Sequence, residues 1–231
     1  MSRTRVKICG VTSAQDATLA VNAGVDAIGL IFHPSASRSI SLLTAEQIIA
    51  VLPPFVTPVG LFLDCPAANV ISLASKLHLS WIQLHGHETA EVVQSLAPLN
   101  IIKAIHVKPG KLLEALAPWH EACAKGLANL RGLVLETGWV KEQGGTGVEN
   151  DWAQIQQAQA DGAFNGLPPL IVAGGLRPSN VAQVIITLHP LAVDVSSGVE
   201  EVKGRKSRDR VSSFMRAVRN GDRSRNLTPS E

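Results

Sequence analysis

Short apolar runs alternate with segments of helical periodicity along almost the whole chain. The apolar runs contain few polar residues, as expected for strands of a parallel sheet that is covered on both faces. They predict eight strands, at residues 5–9, 27–32, 57–63, 81–85, 101–107, 132–137, 169–173 and 191–196. Between them, apolar residues recur at helical spacing, as at Ala17, Ala20 and Val21. The intervening segments predict helices at 14–23, 44–52, 67–78, 89–96, 111–124, 151–160 and 179–188, with a last helix at about 207–219.

Eight strand-helix units in a chain of 231 residues predict a single-domain α/β fold, a (β/α)8 TIM barrel over residues 1–220. A doubly wound open sheet is the alternative. Its usual Gly-x-Gly-x-x-Gly fingerprint does not follow the first strand, which favours the barrel. The segment that begins at Asn220 is polar and has no periodicity, so residues 221–231 are expected to form a frayed tail.

Composition excludes several classes of partner and location. The net charge of +2 is too small to indicate binding to nucleic acid or to a membrane surface. No apolar run approaches the roughly 18 residues of a membrane span, and no signal peptide is expected, since Lys7 and Cys9 fall where its apolar region would be. The three cysteines, Cys9, Cys65 and Cys123, are too widely spaced for a disulfide framework or a zinc motif. A reducing, cytoplasmic location is therefore expected.

Two further features, a basic run and the apolar residues of the helix surfaces, give no indication of a partner. The basic run "GRKSRDR" before the last helix is read as a solvated helix start rather than as a binding patch. No long exposed apolar helix face stands out, so a monomer is the default expectation.

Polar residues and glycines follow nearly every predicted strand, where a TIM barrel places its chemistry. Strand alternation places Lys7 and Cys9 on one face of the first strand. It likewise pairs Gln83 with His85 on the fourth strand and Asp194 with Ser196 on the eighth. The remaining polar residues of this rim are Arg38 after the second strand and Lys103 in the fifth.

Each of these residues also has a purely structural interpretation. Cys9 would serve as a small buried apolar residue, Lys7 and Lys103 as buried structural cations, and His85 as a core histidine. The number of polar strand ends favours a functional rim over these separate explanations.

The glycines after the last two strands predict a phosphate site. TIM barrels build such sites from these two loops and a helix N-terminus, where backbone N–H groups approach the phosphate oxygens. The residues concerned are Gly174 and Gly175 in "AGGLRPSN" and Ser197 and Gly198 in "SSGVE". A small phosphorylated molecule is the expected ligand.

Six segments together resemble the phosphoribosylanthranilate isomerase family of tryptophan biosynthesis. They are "VKICGVT", "FHPSASRSIS", "IQLHGHE", "QGGTGVENDW", "LIVAGGLRPSNV" and "VDVSSGVE", in family order from residue 6 to about 208. The resemblance implies a TIM barrel without metal or cofactor. It also implies an Amadori rearrangement of N-(5-phosphoribosyl)anthranilate to 1-(2-carboxyphenylamino)-1-deoxyribulose 5-phosphate.

The resemblance also implies roles for individual residues. Cys9 is the general base that takes the proton from the sugar C2′, and the nearby Lys7 is expected to lower the pKa of its thiol from about 8.5. Arg38 faces the anthranilate carboxylate, where its planar fork suits a bidentate pair. Asp194 lies near the anthranilate or orients Arg38. Gln83 and His85 are expected to line the same substrate site.

One position departs from the family pattern. The general acid of the family is an aspartate at the end of the sixth strand, where this chain has Glu136 in "LVLET". Glutamate keeps the carboxylic acid but is one methylene longer. Asp151 is the alternative acid, although in "NDW" it is expected to cap a helix. We favour Glu136 as the acid.

Two other functions compete with the isomerase. A catalytically impaired relative that binds a phosphosugar as a regulator is suggested by the change to Glu136, but phosphate binding alone would not need Cys9 and Arg38. A different phosphosugar isomerase or epimerase would use other acid-base pairs or a metal, and the "KICG" opening does not suit it.

Overall fold

The computed structural model describes residues 3–107, 110–136 and 152–227, without the side chains of residues 136, 226 and 227. Eight parallel strands form a closed barrel in sequence order, and the eighth pairs with the first. The strands are β1 (Arg5–Cys9), β2 (Ala27–Ile31), β3 (Thr57–Phe62), β4 (Trp81–Leu84), β5 (Asn100–His106), β6 (Leu130–Glu136), β7 (Leu170–Val172) and β8 (Ala192–Val195). The TIM barrel predicted from the sequence is confirmed.

Helices follow the strands around the outside of the barrel. They are α1 (Ala14–Ala23), α2 (Leu42–Ala50), α3 (Ala67–Lys76), α4 (Ala90–Ser95), α5 (Leu112–Ala124), α6 (Trp152–Ala160), α7 (Val181–Leu188) and α8 (Arg208–Leu227). Local sequence sets their ends, as α1 shows. Ser13 caps its start by accepting the Asp16 N–H at 3.1 Å, and Gly24 ends it with a left-handed φ of 90°.

Strand alternation divides the apolar residues between two cores. One lies between strands and helices and contains residues such as Ile8, Ile28 and Leu133. The other fills the barrel interior with smaller residues, among them Val59, Ala104 and Val134. Lys103 has the opposite orientation to Ala104 and therefore does not reach the barrel interior. Its Nζ pairs with Glu88 at 2.9 Å outside the barrel, which fits its interpretation as a buried structural cation.

The C-terminal part differs from the prediction in two places. A short antiparallel hairpin, β9 (Glu200–Val202) and β10 (Arg205–Lys206), follows β8 and was not predicted. The prediction of a frayed tail from residue 221 is wrong for residues 221–227, because α8 continues to Leu227. Asp222 ties this part of the helix to the barrel by accepting the Thr4 N–H and hydroxyl, the latter at 2.6 Å. Residues 228–231 of the predicted tail lie outside the described part.

Candidate active site

The end of β1 brings a thiol and an ammonium group together inside the barrel. Lys7 and Cys9 are both buried, and Lys7 Nζ lies 2.7 Å from Asp194 Oδ2. Register explains the pair, because Lys7 and Asp194 are directly opposite where β8 closes on β1. Gly29 on β2 leaves room for both groups. A Cβ at that position would lie 2.8 Å from Cys9 Sγ and 3.0 Å from Lys7 Nζ. The predicted shared face of Lys7 and Cys9 is confirmed.

The thiol of Cys9 is not activated in the way that the sequence suggested. Burial raises the pKa of Cys9 above its ordinary value, and Lys7 and Lys206 oppose this effect without outweighing it. Burial disfavours the ammonium form of Lys7, but the Asp194 carboxylate, and Cys9 when it is a thiolate, hold the pKa of Lys7 above its ordinary value. Lys7 is therefore a charged group beside a mostly protonated thiol at neutral pH.

Arg38 is held by a glutamate rather than by Asp194. Its Nε and Nη2 donate to Glu200 Oε1 and Oε2, each at 2.6 Å, and both side chains are buried. The Arg38 side chain crosses Gly10, where a Cβ would lie only 2.5 Å from Arg38 Cδ. The alternative in which Asp194 orients Arg38 is wrong, since Asp194 pairs with Lys7. Within the described ranges, Arg38 Nη1 has no acceptor, so one edge of the guanidinium is open to a ligand.

Lys206 belongs to this cluster and was missed from the sequence. Its Nζ donates to the carbonyl oxygens of Cys9 at 2.8 Å and Ser196 at 3.2 Å, and to Glu200 Oε1 at 2.8 Å. Its side chain is 0% exposed, although the basic run around it was interpreted as solvated. The sequence does contain one indication of this hairpin, Gly204. This glycine forms the turn between β9 and β10 with a left-handed φ of 87°.

Gln83 and Asp194 place buried acceptors in the barrel interior. Gln83 is 1% exposed, and its Nε2 lies 3.3 Å from His85 Nδ1, so the predicted pairing of Gln83 with His85 on one face is confirmed. Gln83 Oε1 and Asp194 Oδ1 are buried and have no hydrogen-bond partner in the described part of the chain. Buried acceptors are costly to leave unpaired, so both atoms suit hydroxyl or N–H donors of a ligand.

Glu136 is the last residue of β6, opposite His106 on β5. His106 is itself fixed, because its Nε2 donates to the His85 carbonyl at 2.8 Å. The backbone position of Glu136 is therefore at the carboxyl end of the barrel. Its side chain, the glycine-rich segment that follows and Asp151 lie outside the described residues.

The loops after β7 and β8 meet at the same end of the barrel. Gly174 and Gly175 both have left-handed φ angles, of 85° and 63°. Gly198 lies so close to the other loop that a Cβ there would overlap the carbonyl oxygen of Leu176. In the loop hydrogen bonds of the described residues, the N–H groups of Gly174 and Gly175 do not donate. The geometry brings the four predicted phosphate residues together and leaves backbone donors for an anion.

The described residues contain neither a metal-binding cluster nor a membrane-spanning helix. No group of three or more His, Cys, Asp or Glu side chains in these ranges could hold a metal ion. No helix in the same ranges is long and apolar enough to cross a membrane.

Known proteins resemble this chain over nearly all of its length. Residues 6–217 match the family model for N-(5'phosphoribosyl)anthranilate (PRA) isomerase. The N-(5'-phosphoribosyl)anthranilate isomerase of Pseudomonas fluorescens (strain SBW25) is 42% identical over 220 residues, which cover 95% of this chain and 98% of that protein. The Azotobacter vinelandii (strain DJ / ATCC BAA-1303) enzyme is 42% identical over 221 residues, covering 95% of this chain and 100% of that protein.

Solved structures agree with the sequence matches. Phosphoribosyl anthranilate isomerase from Thermotoga maritima has a TM-score of 0.79 and 33% identity, covering 94% of this chain and 98% of that one. A structure of the isomerase with reduced 1-(o-carboxyphenylamino)-1-deoxyribulose 5-phosphate has a TM-score of 0.78, with the same identity and coverage. Both the sequence and the barrel therefore show that the chain belongs to the N-(5'-phosphoribosyl)anthranilate isomerase family.

Proposed function

We propose that this protein isomerises N-(5-phosphoribosyl)anthranilate to 1-(2-carboxyphenylamino)-1-deoxyribulose 5-phosphate, with Cys9 as general base and Glu136 as general acid. The observation that carries the proposal is the convergence of Cys9, Lys7 and Asp194 at the end of β1 in a barrel of this family. The pair of candidate acid and base distinguishes this reaction from mere binding of a phosphosugar.

The reaction needs one proton delivered and one removed. Glu136 gives a proton to the ribose ring oxygen, and the C1′–O bond breaks to leave a protonated Schiff base. The thiolate of Cys9 then takes the C2′ proton, which gives an enolamine that tautomerises to the ketone. The charged Lys7 is placed to stabilise that thiolate. Because burial raises the pKa of Cys9, the thiolate is scarce but strongly basic when it forms.

The remaining residues fit the two ends of the substrate. Arg38 Nη1 is available for the anthranilate carboxylate, and the open acceptors Gln83 Oε1 and Asp194 Oδ1 suit the sugar hydroxyls. His85 supports Gln83 from the end of β4. The 5-phosphate is assigned to Gly174, Gly175, Ser197 and Gly198. No metal or cofactor has a role in this scheme. That the reaction needs neither stays a prediction.

A direct assay tests the proposed function. Purified protein is mixed with N-(5-phosphoribosyl)anthranilate, and loss of the anthranilate-type fluorescence is followed. We expect turnover that obeys saturation kinetics and forms the ketose product. Binding of the substrate without any turnover would instead support the impaired, regulatory relative.

The phosphate assignment predicts competition by simple anions. Inorganic phosphate or sulfate should compete with the substrate and, in a crystal, lie between Gly174–Gly175 and Ser197–Gly198. Gly198→Ala should weaken this competition, because its Cβ would push against the carbonyl of Leu176 and part the two loops. Gly126→Ala is a control for glycine replacement as such: its added Cβ would meet no atom within 4 Å, and its strain comes from a left-handed φ of 91° rather than from a steric overlap. An anion bound only at residues 204–210 would contradict the assignment.

Two further expectations stay predictions: that the protein is a monomer and that it is located in the cytoplasm. Large exposed apolar side chains are spread over separate elements, as are Leu43 on α2, Leu113 on α5 and Val202 on β9. Phe55, 99% exposed, is the most exposed large apolar side chain among the described residues. The Thermotoga maritima enzyme is described as dimeric.

A further inference from the structure

A buried cluster of two cations and one anion lies behind the proposed carboxylate site. Arg38, Glu200 and Lys206 have side chains that are 8%, 4% and 0% exposed. Glu200 Oε1 accepts from both Arg38 Nε and Lys206 Nζ, and Oε2 accepts from Arg38 Nη2. One carboxylate is thus shared between two cations, and the directly bonded cluster keeps one net positive charge.

The other direct contacts of the Lys206 ammonium add no negative charge to the cluster. Its other two Nζ hydrogen bonds go to the neutral carbonyls of Cys9 and Ser196. The buried carboxylate of Asp16 lies nearby, but its Oδ2 accepts the backbone N–H of Lys206 at 3.1 Å rather than the ammonium. Glu200 is therefore the carboxylate that directly contacts the Lys206 ammonium within the described ranges.

Without Lys206, Glu200 would neutralise Arg38 completely. A guanidinium that is already paired bidentately with an unshared carboxylate has little remaining attraction for a second anion. We infer that Lys206 is a positioning residue that competes for Glu200 and so keeps Arg38 selective for a substrate carrying a carboxylate on its aromatic ring. This inference rests on the proposed contact of Arg38 with that carboxylate, and it assigns a role to a residue beyond those of the acid, the base and the phosphate loops.

Two ligands that differ only in the carboxylate test the inference. One is reduced 1-(o-carboxyphenylamino)-1-deoxyribulose 5-phosphate, and the other is the same compound without the ring carboxyl. Calorimetry gives the ratio of their dissociation constants, which isolates the carboxylate from phosphate binding and needs no turnover. The wild-type protein should prefer the carboxylated ligand by about tenfold or more.

Removal of the Lys206 charge should lower this ratio by about tenfold while binding of the uncarboxylated ligand stays nearly constant. Lys206→Met makes this change, and Lys206→Gln repeats it with an amide that can still donate to carbonyls if the methionine variant does not fold. Lys206→Arg should keep the wild-type ratio. The double variant Glu200→Gln/Lys206→Met removes one charge of each sign and should recover most of the preference, which a merely structural role for Lys206 would not produce.

Arg38→Met separates failure of this inference from failure of the proposed function. It should abolish the preference for the carboxylated ligand. If it does so while both neutral Lys206 variants keep the wild-type ratio, the role of Lys206 is wrong. If Arg38→Met leaves the preference intact, the proposed carboxylate contact of Arg38 is wrong, and the inference falls with it.

Discussion

Cys9→Ala is expected to fold normally and to lose about 10²–10⁴-fold in kcat, the usual contribution of a general base. The substitution removes one buried sulfur and adds nothing, so the surrounding barrel has no reason to rearrange. No other group on β1 could take over, because Lys7 is paired with Asp194 and its pKa is held above its ordinary value. Steady-state kinetics on N-(5-phosphoribosyl)anthranilate, with circular dichroism for folding, measure the loss.

Two variants sharpen this result. Cys9→Ser should fail as well, since a hydroxyl is a far weaker acid than a thiol and forms too little of its anion. Cys65→Ala is the matched control, a half-buried cysteine outside the barrel interior, and should keep wild-type turnover. A Cys9→Ala enzyme with more than about a tenth of the wild-type rate would remove Cys9 from the role of base.

The thiolate of Cys9 can also be titrated directly. Because burial raises the pKa of Cys9, its thiolate should appear only above the ordinary thiol range, and the step that needs the thiolate should quicken as pH rises toward that range. Lys7→Met should move the midpoint higher still, since Lys7 favours the thiolate. The thiolate absorbs near 240 nm, so absorbance at that wavelength follows the titration. Subtracting the absorbance of Cys9→Ala removes the contribution of the other two cysteines and gives the midpoint for Cys9. A midpoint at or below the ordinary value would mean that the cation outweighs burial, as the sequence alone suggested.

The sequence predicts the barrel well because its signals are local. Apolar runs, helical spacing and strand alternation are properties of neighbouring residues, and they place Lys7 with Cys9 and Gln83 with His85 on the inner face of the barrel. The partner of Asp194 depends on something else, the register at which β8 closes on β1. Alternation gives the face of a residue but not its neighbour on a strand nearly two hundred positions away.

Two properties of the site could not be predicted from the local sequence pattern. Glu200 and Lys206 belong to strands of three and two residues, too short for periodicity to separate them from a solvated basic run. The pKa of Cys9 depends on the balance between desolvation and the field of Lys7, and a sequence shows the charge but not the burial. These are also the places where several loops converge, so three-dimensional packing rather than propensity decides them.

Glu136→Gln is expected to abolish turnover, because an amide cannot give the proton that opens the ribose ring. Glu136 ends β6 at the catalytic end of the barrel, opposite His106, which is the backbone position that the proposed acid requires. The acid must be protonated to act, so the ring-opening step should slow as pH rises and the carboxyl ionises, whereas the later proton abstraction by Cys9 should quicken. Rapid mixing of Glu136→Gln and of the wild-type protein with N-(5-phosphoribosyl)anthranilate measures the loss of turnover.

Glu136→Asp and Asp151→Asn complete this experiment. The aspartate restores the residue that the family resemblance implies and shortens the reach of the carboxyl by about 1–1.5 Å, a shift that can change rates by about 100-fold. We expect this variant to stay active, with kcat between modestly lower and higher than wild type according to how the site has adapted to glutamate. Asp151→Asn should retain most activity. Near-wild-type turnover in Glu136→Gln together with an inert Asp151→Asn would place the acid at Asp151, whereas an inert wild type would favour the phosphosugar-binding relative.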